Sequence, residues 1–421
     1  MIGGGLAACG STPSAQPSPP PGPTPSVTVP VDLPVVVSMA GHFRADELAV
    51  LDAQIAAFEQ TNPDIRVEIV RVPGNSREQR DTVSEWLQDE GIGIDVYVVD
   101  DSWLAGLAAG DLLLPLDAYT ESAGISPDSF LPSTIQANTL GGKLLALPWT
   151  ADGGLLYYRR DLLEQENAQP PTTWPELQQL ALKIKERENL PYGFVWQGAA
   201  YESLTHNTLE FIWGYEGQVL DAAGNAGFDT PQTRAALAFM SNLVTSGASP
   251  ADISTYAEGQ ALAAFQNGEA VFLRAWSSAW SQLTAPDSPL GGRVGLSPLP
   301  ASSLFEQGLV LSKHSLYPEQ AFRWMAFLTA YEQQVEWALQ TGQPPALIAA
   351  YDDADLLAAE PAFEIMGQAL AAATPRPRVA AYPALSEAIY TEVNHMLAGE
   401  LDAETTAARI QNRLEEILGQ R

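Results

Sequence analysis

Only one cysteine occurs in the 421 residues, so the chain can close no internal disulfide and offers no thiolate cluster to a metal. The four histidines, His42, His206, His314 and His395, are scattered, without the H-E-x-x-H spacing of a zinc protease. Basic residues are scarce as well: 21 Lys and Arg stand against 51 Asp and Glu, for a formal charge of −30. That balance repels phosphate backbones and anionic lipid, which argues against nucleic acid as a partner and against a peripheral role on a membrane surface. The same acidity also serves solubility. No charge-free apolar run reaches roughly eighteen residues, so no transmembrane helix is expected. Neither a G-x-S-x-G elbow nor a G-x-x-x-x-G-K-[ST] loop is present. The nearest approach, "LGGKLLALP", lacks the earlier glycine and the following hydroxyl and reads as a hairpin turn. No metal site and no cofactor are expected.

The single cysteine, Cys9, stands where nothing could bury it, because Gly, Ser and Pro dominate the positions after it. Leu6-Ala7-Ala8-Cys9 resembles a bacterial lipobox, so residues 1–9 read as the end of a lipoprotein signal with Cys9 as the lipidation site. Residues 10–34, rich in Pro, Ser and Thr, read as a tether. At about 3.1 Å per residue it would reach roughly 75 Å from a membrane. The folded part is then expected at the extracellular face of the cell, attached only through its lipid.

The remaining chain is long enough for two domains, and its 46% hydrophobic content can fill both cores. Strand and helix alternate along it. "LPVVVSMAG" reads as a buried strand, and "ELAVLDAQIAAFEQTNP" carries Leu48, Leu51, Ile55 and Phe58 at helical spacing before Asn62-Pro63. "IRVEIVRV" alternates as a strand, Ser76 and Gln79 form a capping-box pattern, and "IDVYVVD" is a buried strand closing on Asp100 and Asp101. Thr173 and Glu176 cap a later helix, and Pro231 opens another that stops at Gly247. This βαβ series implies an α/β fold with a mainly parallel sheet.

The segments "LPWTADGGLLYYRRDLL", "TTWPELQQLALKI", "YGFVWQGAAYESL", "AFQNGEAVFLRAWSSAW", "VGLSPLP" and "TPRPRVAAYPALSEAIYTEV" occur in one order along the chain. In that order they resemble the family 1 extracellular solute-binding proteins of ABC sugar importers, particularly the trehalose/maltose-binding branch. The resemblance implies the two-lobed, type II periplasmic-binding-protein-like fold, with a sugar held between lobes joined by crossover segments. It places lobe one at 35–149 plus 301–341 and lobe two at 150–300 plus 342–421. A sugar, the permease subunits of an importer and a monomeric state follow as expectations.

Ligands of open α/β sheets bind beyond the carboxyl ends of strands, which directs attention to Asp100 after "IDVYVV" and Trp276 after "AVFLR". A sugar's hydroxyl rim suits carboxylates and arginine, and its C–H faces suit an indole. Carried over residue by residue, the resemblance implies Glu47, Arg80, Asp100, Asp152, Trp276 and Arg376 as ligand contacts, with Trp103, Trp149, Thr150, Tyr201 and Gln307 behind them. Each has a plainer reading: Trp276 as core, Asp100 and Asp101 as caps of the next helix, Asp152 as a turn residue before Gly153-Gly154, and Arg376 as a surface loop charge. The chain departs from the branch at "SSLFEQGLVLS", where Glu306-Gln307-Gly308 replaces Gly-Gly-Trp, and at Thr150, which replaces a tyrosine. A stacking surface is missing there unless Phe305 supplies it, and the exchange favours a ligand with more polar decoration at that end. A surface glycoside hydrolase, which needs only two carboxylates, and a tethered sensor or adhesin remain as alternatives.

Overall fold

The computed structural model describes Met1, Gly3, residues 34–90 and residues 92–419. Cys9 and nearly all of the 10–34 segment lie outside the described residues. Among the described residues eleven strands follow one another: β1 Val35–Gly41, β2 Ile65–Arg71, β3 Val96–Asp100, β4 Thr139–Leu140, β5 Lys143–Leu144, β6 Ala146–Gly153, β7 Leu155–Arg159, β8 Tyr192–Val195, β9 Ala270–Ala275, β10 Val294–Pro298 and β11 Leu304–Leu311. They build a five-stranded sheet of order β2-β1-β3-β11-β6 and a four-stranded sheet of order β10-β7-β9-β8. The short β4–β5 hairpin turns through Gly141 and Gly142, whose φ angles of 58° and 75° are strained for other residues.

Each sheet is the frame of one lobe. In the first, the Val-rich β1 and β3 are sandwiched by helices Ala45–Thr61 and Pro318–Leu328 on one side and Ser76–Gln88 on the other. The second sheet is covered by helices Trp174–Glu188, Glu202–Gly214 and Pro231–Thr245, and the C-terminal helices Tyr382–Leu397 and Ala403–Ile417 complete that core. Among the described residues no helix is long and apolar enough to cross a membrane.

The expected sheet is less uniformly parallel than the βαβ reading implied. β11 runs antiparallel to β3 and β6, and β7 runs antiparallel to β9 and β10. The cause is the path of the chain. β6 leaves the first lobe toward β7, and β10 leaves the second toward β11, so each arriving strand must run away from the junction. The carboxyl ends of β3, β6, β9 and β10 and the amino ends of β7 and β11 consequently meet at one crevice. The first crossing lies at Gly153-Gly154, later than the expected break after residue 149, because Thr150 to Gly153 stay paired with β11. Pro344 to Leu347 also stay with the first lobe: Pro344 accepts from the Ala151 N–H, and Ala346 and Leu347 pack in its core.

β6 carries one residue too many for its partner. Gln307 pairs with Thr150 but Gly308 pairs with Pro148, leaving Trp149 as the extra residue of a β-bulge. Local signals are otherwise offset only slightly. The helix expected to be capped by Ser76 is capped by Asn75, whose side chain accepts from Arg77 N and Glu78 N, with Glu78 closing the box. Thr173 caps its helix as expected, accepting from Glu176 N.

Candidate functional site: the crevice between the lobes

The strand ends deliver a ring of side chains to one cavity of about 410 Å³. Asp100 comes from β3, Asp152 from β6, Trp276 from just beyond β9, Phe305 from β11, and Tyr201, Glu202 and His206 from the start of helix Glu202–Gly214. An adjoining cavity of about 610 Å³ shares Asp100, Tyr201 and Glu202 with it and adds Arg80, Trp103, Tyr382 and Tyr390. Two aromatic-lined chambers meeting at a carboxylate pair suit an elongated, hydroxyl-rich solute.

Trp276 is held edge-on and from behind. The Arg274 guanidinium lies 4.0 Å from its ring centroid, His206 meets it edge-to-face at 4.9 Å and 89°, and Phe305 lies 5.9 Å away. The cation–π contact and the ring contacts fix the plane of an indole that is only partly buried, as a stacking platform requires. Arg274 is itself gripped by Glu210, donating from Nε at 2.9 Å and from Nη2 at 2.5 Å, and both side chains are 1% exposed.

Asp152 is tied to the second lobe although its strand belongs to the first. Its Oδ1 accepts from Ser277 N at 3.1 Å and Gly153 N at 2.8 Å, and its Oδ2 from Ser277 Oγ at 2.9 Å. Burial at the junction pushes its carboxyl up to about 6, against the downward pull of those hydrogen bonds.

Arg376 is no surface charge. It is 2% exposed, and it joins the lobes: Nη2 donates to Asp100 and Asp101 at 2.5 Å each, Nη1 to Glu202 at 2.9 Å, while Nε is without a partner. It lines neither cavity and acts on the crevice by positioning Asp100 and Glu202. Asp100 also serves as the helix cap of its plainer reading, accepting from Ser102 N at 2.8 Å. Burial raises Asp101 to about 6, partly offset by Arg376.

The remaining expectations divide. Tyr201 lines both cavities, with its hydroxyl donating to Glu258, and Trp103 and Arg80 line the larger one, Arg80 with its guanidinium on Asp81 at 2.7 Å. Glu47 is 5% exposed and lies behind the crevice. It holds Arg44 and Gln343, which do reach the cavity, through contacts of 2.7 Å to each. Trp149 is packed into the first lobe's core against Trp337, 4.5 Å between centroids, and Phe43. Thr150 is buried and bonds Gln307 at 3.4 Å, and Gln307 lines a smaller recess with Asp100 and Phe305.

The open question over "SSLFEQGLVLS" is answered by strand alternation. Phe305 and Gln307 lie on the same face as their cross-strand partners Asp152 and Thr150, so Phe305 enters the crevice and supplies an aromatic surface. Glu306 faces the other way and is fully buried, bonded to Asn138 Nδ2 at 2.8 Å. Burial, reinforced by Asp101, holds its carboxyl well above the usual range. The carboxylate expected to decorate the ligand end is therefore not offered to a ligand. Sequence reasoning missed Glu202 and His206, although Glu202 lies within the "YGFVWQGAAYESL" segment and His206 just beyond it; a helix start beside a crevice was the available signal.

With this geometry in view, comparison with known proteins is direct. A family profile for bacterial extracellular solute-binding proteins matches residues 44–335. A probable ABC transporter-binding protein of Deinococcus radiodurans is 32% identical over 370 residues, 84% of this chain and 87% of its own. The maltose-bound structure of T. maritima MalE3 is 37% identical, with a TM-score of 0.79, covering 91% of this chain and 99% of the other. The sugar-binding protein MalE of Xanthomonas citri, 22% identical, shares the fold with a TM-score of 0.81 over 92% of this chain and 98% of the other. A two-lobed fold, a crevice at its strand ends and this match over most of its length make the chain a member of the bacterial extracellular solute-binding proteins, which capture solutes rather than transform them.

Proposed function

We propose that the chain captures a sugar, an α-linked di- or oligosaccharide, by closing its two lobes and delivers it to the permease subunits of an ABC importer. The observation that carries this reading is Trp276, an indole backed by Arg274 and facing a cavity shared with Asp152 and Asp100. Such a plate beside acceptors matches the C–H face and hydroxyl rim of a pyranose. The likeness to a maltose-bound protein points the same way. Contacts from both lobes favour the closed form when a ligand is present, and an importer that reads closure needs no other signal. The protein works as a monomer.

A thermal-shift panel of trehalose, maltose, sucrose and maltotriose on the full chain tests the reading. A ligand at about 100 times its Kd adds about 2.7 kcal/mol, so at least one sugar is expected to raise Tm clearly. If none does while an amino acid or polyamine does, the sugar assignment is wrong.

Anchoring through lipid on Cys9 belongs to the same reading, since a long tether leaves a capture domain free to reach its importer. Cys9→Ser, expressed with a full upstream signal, is expected to move the protein from the membrane fraction to the medium. Retention in the membrane would refute the anchor.

A further inference from the structure

His206 lies one turn into helix Glu202–Gly214, is 2% exposed, and lines the crevice beside Trp276 and Asp152. Its protonation pattern follows from its neighbours. Glu210, held by both Arg274 donors, is a carboxylate and can only accept. Ser303 Oγ lies 2.7 Å from Glu210 Oε1, a separation that requires a proton between the two oxygens, and only the serine has one to give. Ser303 Oγ must then accept at its remaining contact, the 2.9 Å one with His206 Nδ1. The imidazole proton is on Nδ1, and Nε2 is left with a bare lone pair.

That lone pair has no hydrogen-bond partner among the described residues. A Glu202 carboxylate oxygen lies 3.9 Å away, and it too is an acceptor, already taking Arg376 and the Tyr382 hydroxyl. Burial, with Arg376 and Arg274 nearby, holds the ring's basicity well below the usual histidine range, so the Nε2 position stays unprotonated at neutral pH. Glu202 is supplied with donors and Nε2 is not, so this acceptor in the cavity wall calls for a donor that the described residues do not supply.

We infer that His206 is a specificity-determining residue of this crevice, its unprotonated Nε2 accepting a hydrogen bond from one hydroxyl of the bound solute. The inference rests on the sugar-binding reading and adds to it a fixed acceptor tied to the junction, because Ser303 immediately precedes β11 and Glu210 lies against Gly154. A ligand lacking that hydroxyl, or presenting a carbonyl oxygen there, leaves the Nε2 acceptor unpaired and is rejected.

The test combines ¹⁵N-histidine NMR of the full chain with titrations of maltose, maltotriose, trehalose and sucrose. His206→Asn assigns the resonances, keeps a donor for Ser303 and removes the Nε2 acceptor. His206→Gln places an amide oxygen within reach of the Nε2 position. The free protein is expected to show protonated Nδ1 and bare Nε2, and a sugar that raises Tm is expected to move the Nε2 resonance toward its hydrogen-bonded value. His206→Asn should weaken that sugar about 10- to 100-fold, with His206→Gln recovering part of the loss. A protonated Nε2 in the free protein overturns the inference, as does an unmoved Nε2 at saturation, and either leaves the sugar reading standing. If no sugar in the panel raises Tm, the sugar reading falls and the inference falls with it.

Discussion

Arg274→Met is expected to lower the stability of the folded chain by about 3–5 kcal/mol, because it leaves the Glu210 charge buried without its partner. The effect should exceed that of any exposed ion pair, such as Arg44 with Asp46, whose contribution is about 1 kcal/mol or less. Glu210 has Ser303 as a second partner, but a serine hydroxyl cannot neutralise it. The double variant Arg274→Met, Glu210→Met should recover much of the loss, since packed apolar side chains often replace a buried ion pair with little penalty. Urea unfolding of the two single variants and the double variant measures this directly. A single variant as stable as the parent would mean that water reaches Glu210.

The second large effect falls on binding. Trp276→Ala removes the platform and should weaken sugar binding by about 2–4 kcal/mol, roughly 30- to 1,000-fold, measured by isothermal titration. Asp152→Asn is a different probe, because the amide keeps the shape of the carboxyl while removing its charge. The Asp152 carboxyl is raised to about 6 in the fold, against about 3.8 when unperturbed. Its contribution to stability is therefore greatest below pH 4 and is lost as pH rises through 6. Asparagine does not titrate, so the variant should gain on the parent between pH 4 and 7 and keep that gain above. At pH 7.5 it should melt higher than the parent yet bind sugar more weakly, having lost a charged acceptor. Thermal melts at pH 4.5 and 7.5 check the sign; equal gains at both would show that Asp152 titrates normally.

Much of the framework could be read from the chain because its signals are local. Val-rich strands, Thr173 three residues before Glu176, and Gly141-Gly142 between short strands each act within a few positions. Asp100 and Trp276 could be placed because they stand at strand ends, and Asp152 through the family resemblance. Arg376 is named through the resemblance alone, since by itself "TPRPR" looks like a surface loop, and its ion pairs could not be read, because Asp100 lies 276 positions away and Glu202 174. Only the folded chain gathers three carboxylates around one guanidinium. Glu306 escaped for another reason: the side it faces depends on the register with β6, which a bulge shifts at Trp149. Trp149 itself follows from the same irregularity and from the apolar neighbours that receive it, Phe43 and Trp337.

That bulge also decides how the junction tolerates changes in length. A strand's faces alternate with every residue, so shifting Asp152 by one position exchanges the crevice for the side on which Glu306 is buried. The extra residue opposite Gln307 and Gly308 is one position of slack. Losing a residue at Trp149 or Thr150 would use up that slack and straighten the strand, at a cost in core packing, with Asp152 still opposite Phe305. Gaining a residue between Thr150 and Asp152 has nothing to absorb it and would turn the carboxylate away from the crevice. Along this stretch, descendants of the chain can shorten by one residue and keep the address of their acid, but they cannot lengthen by one.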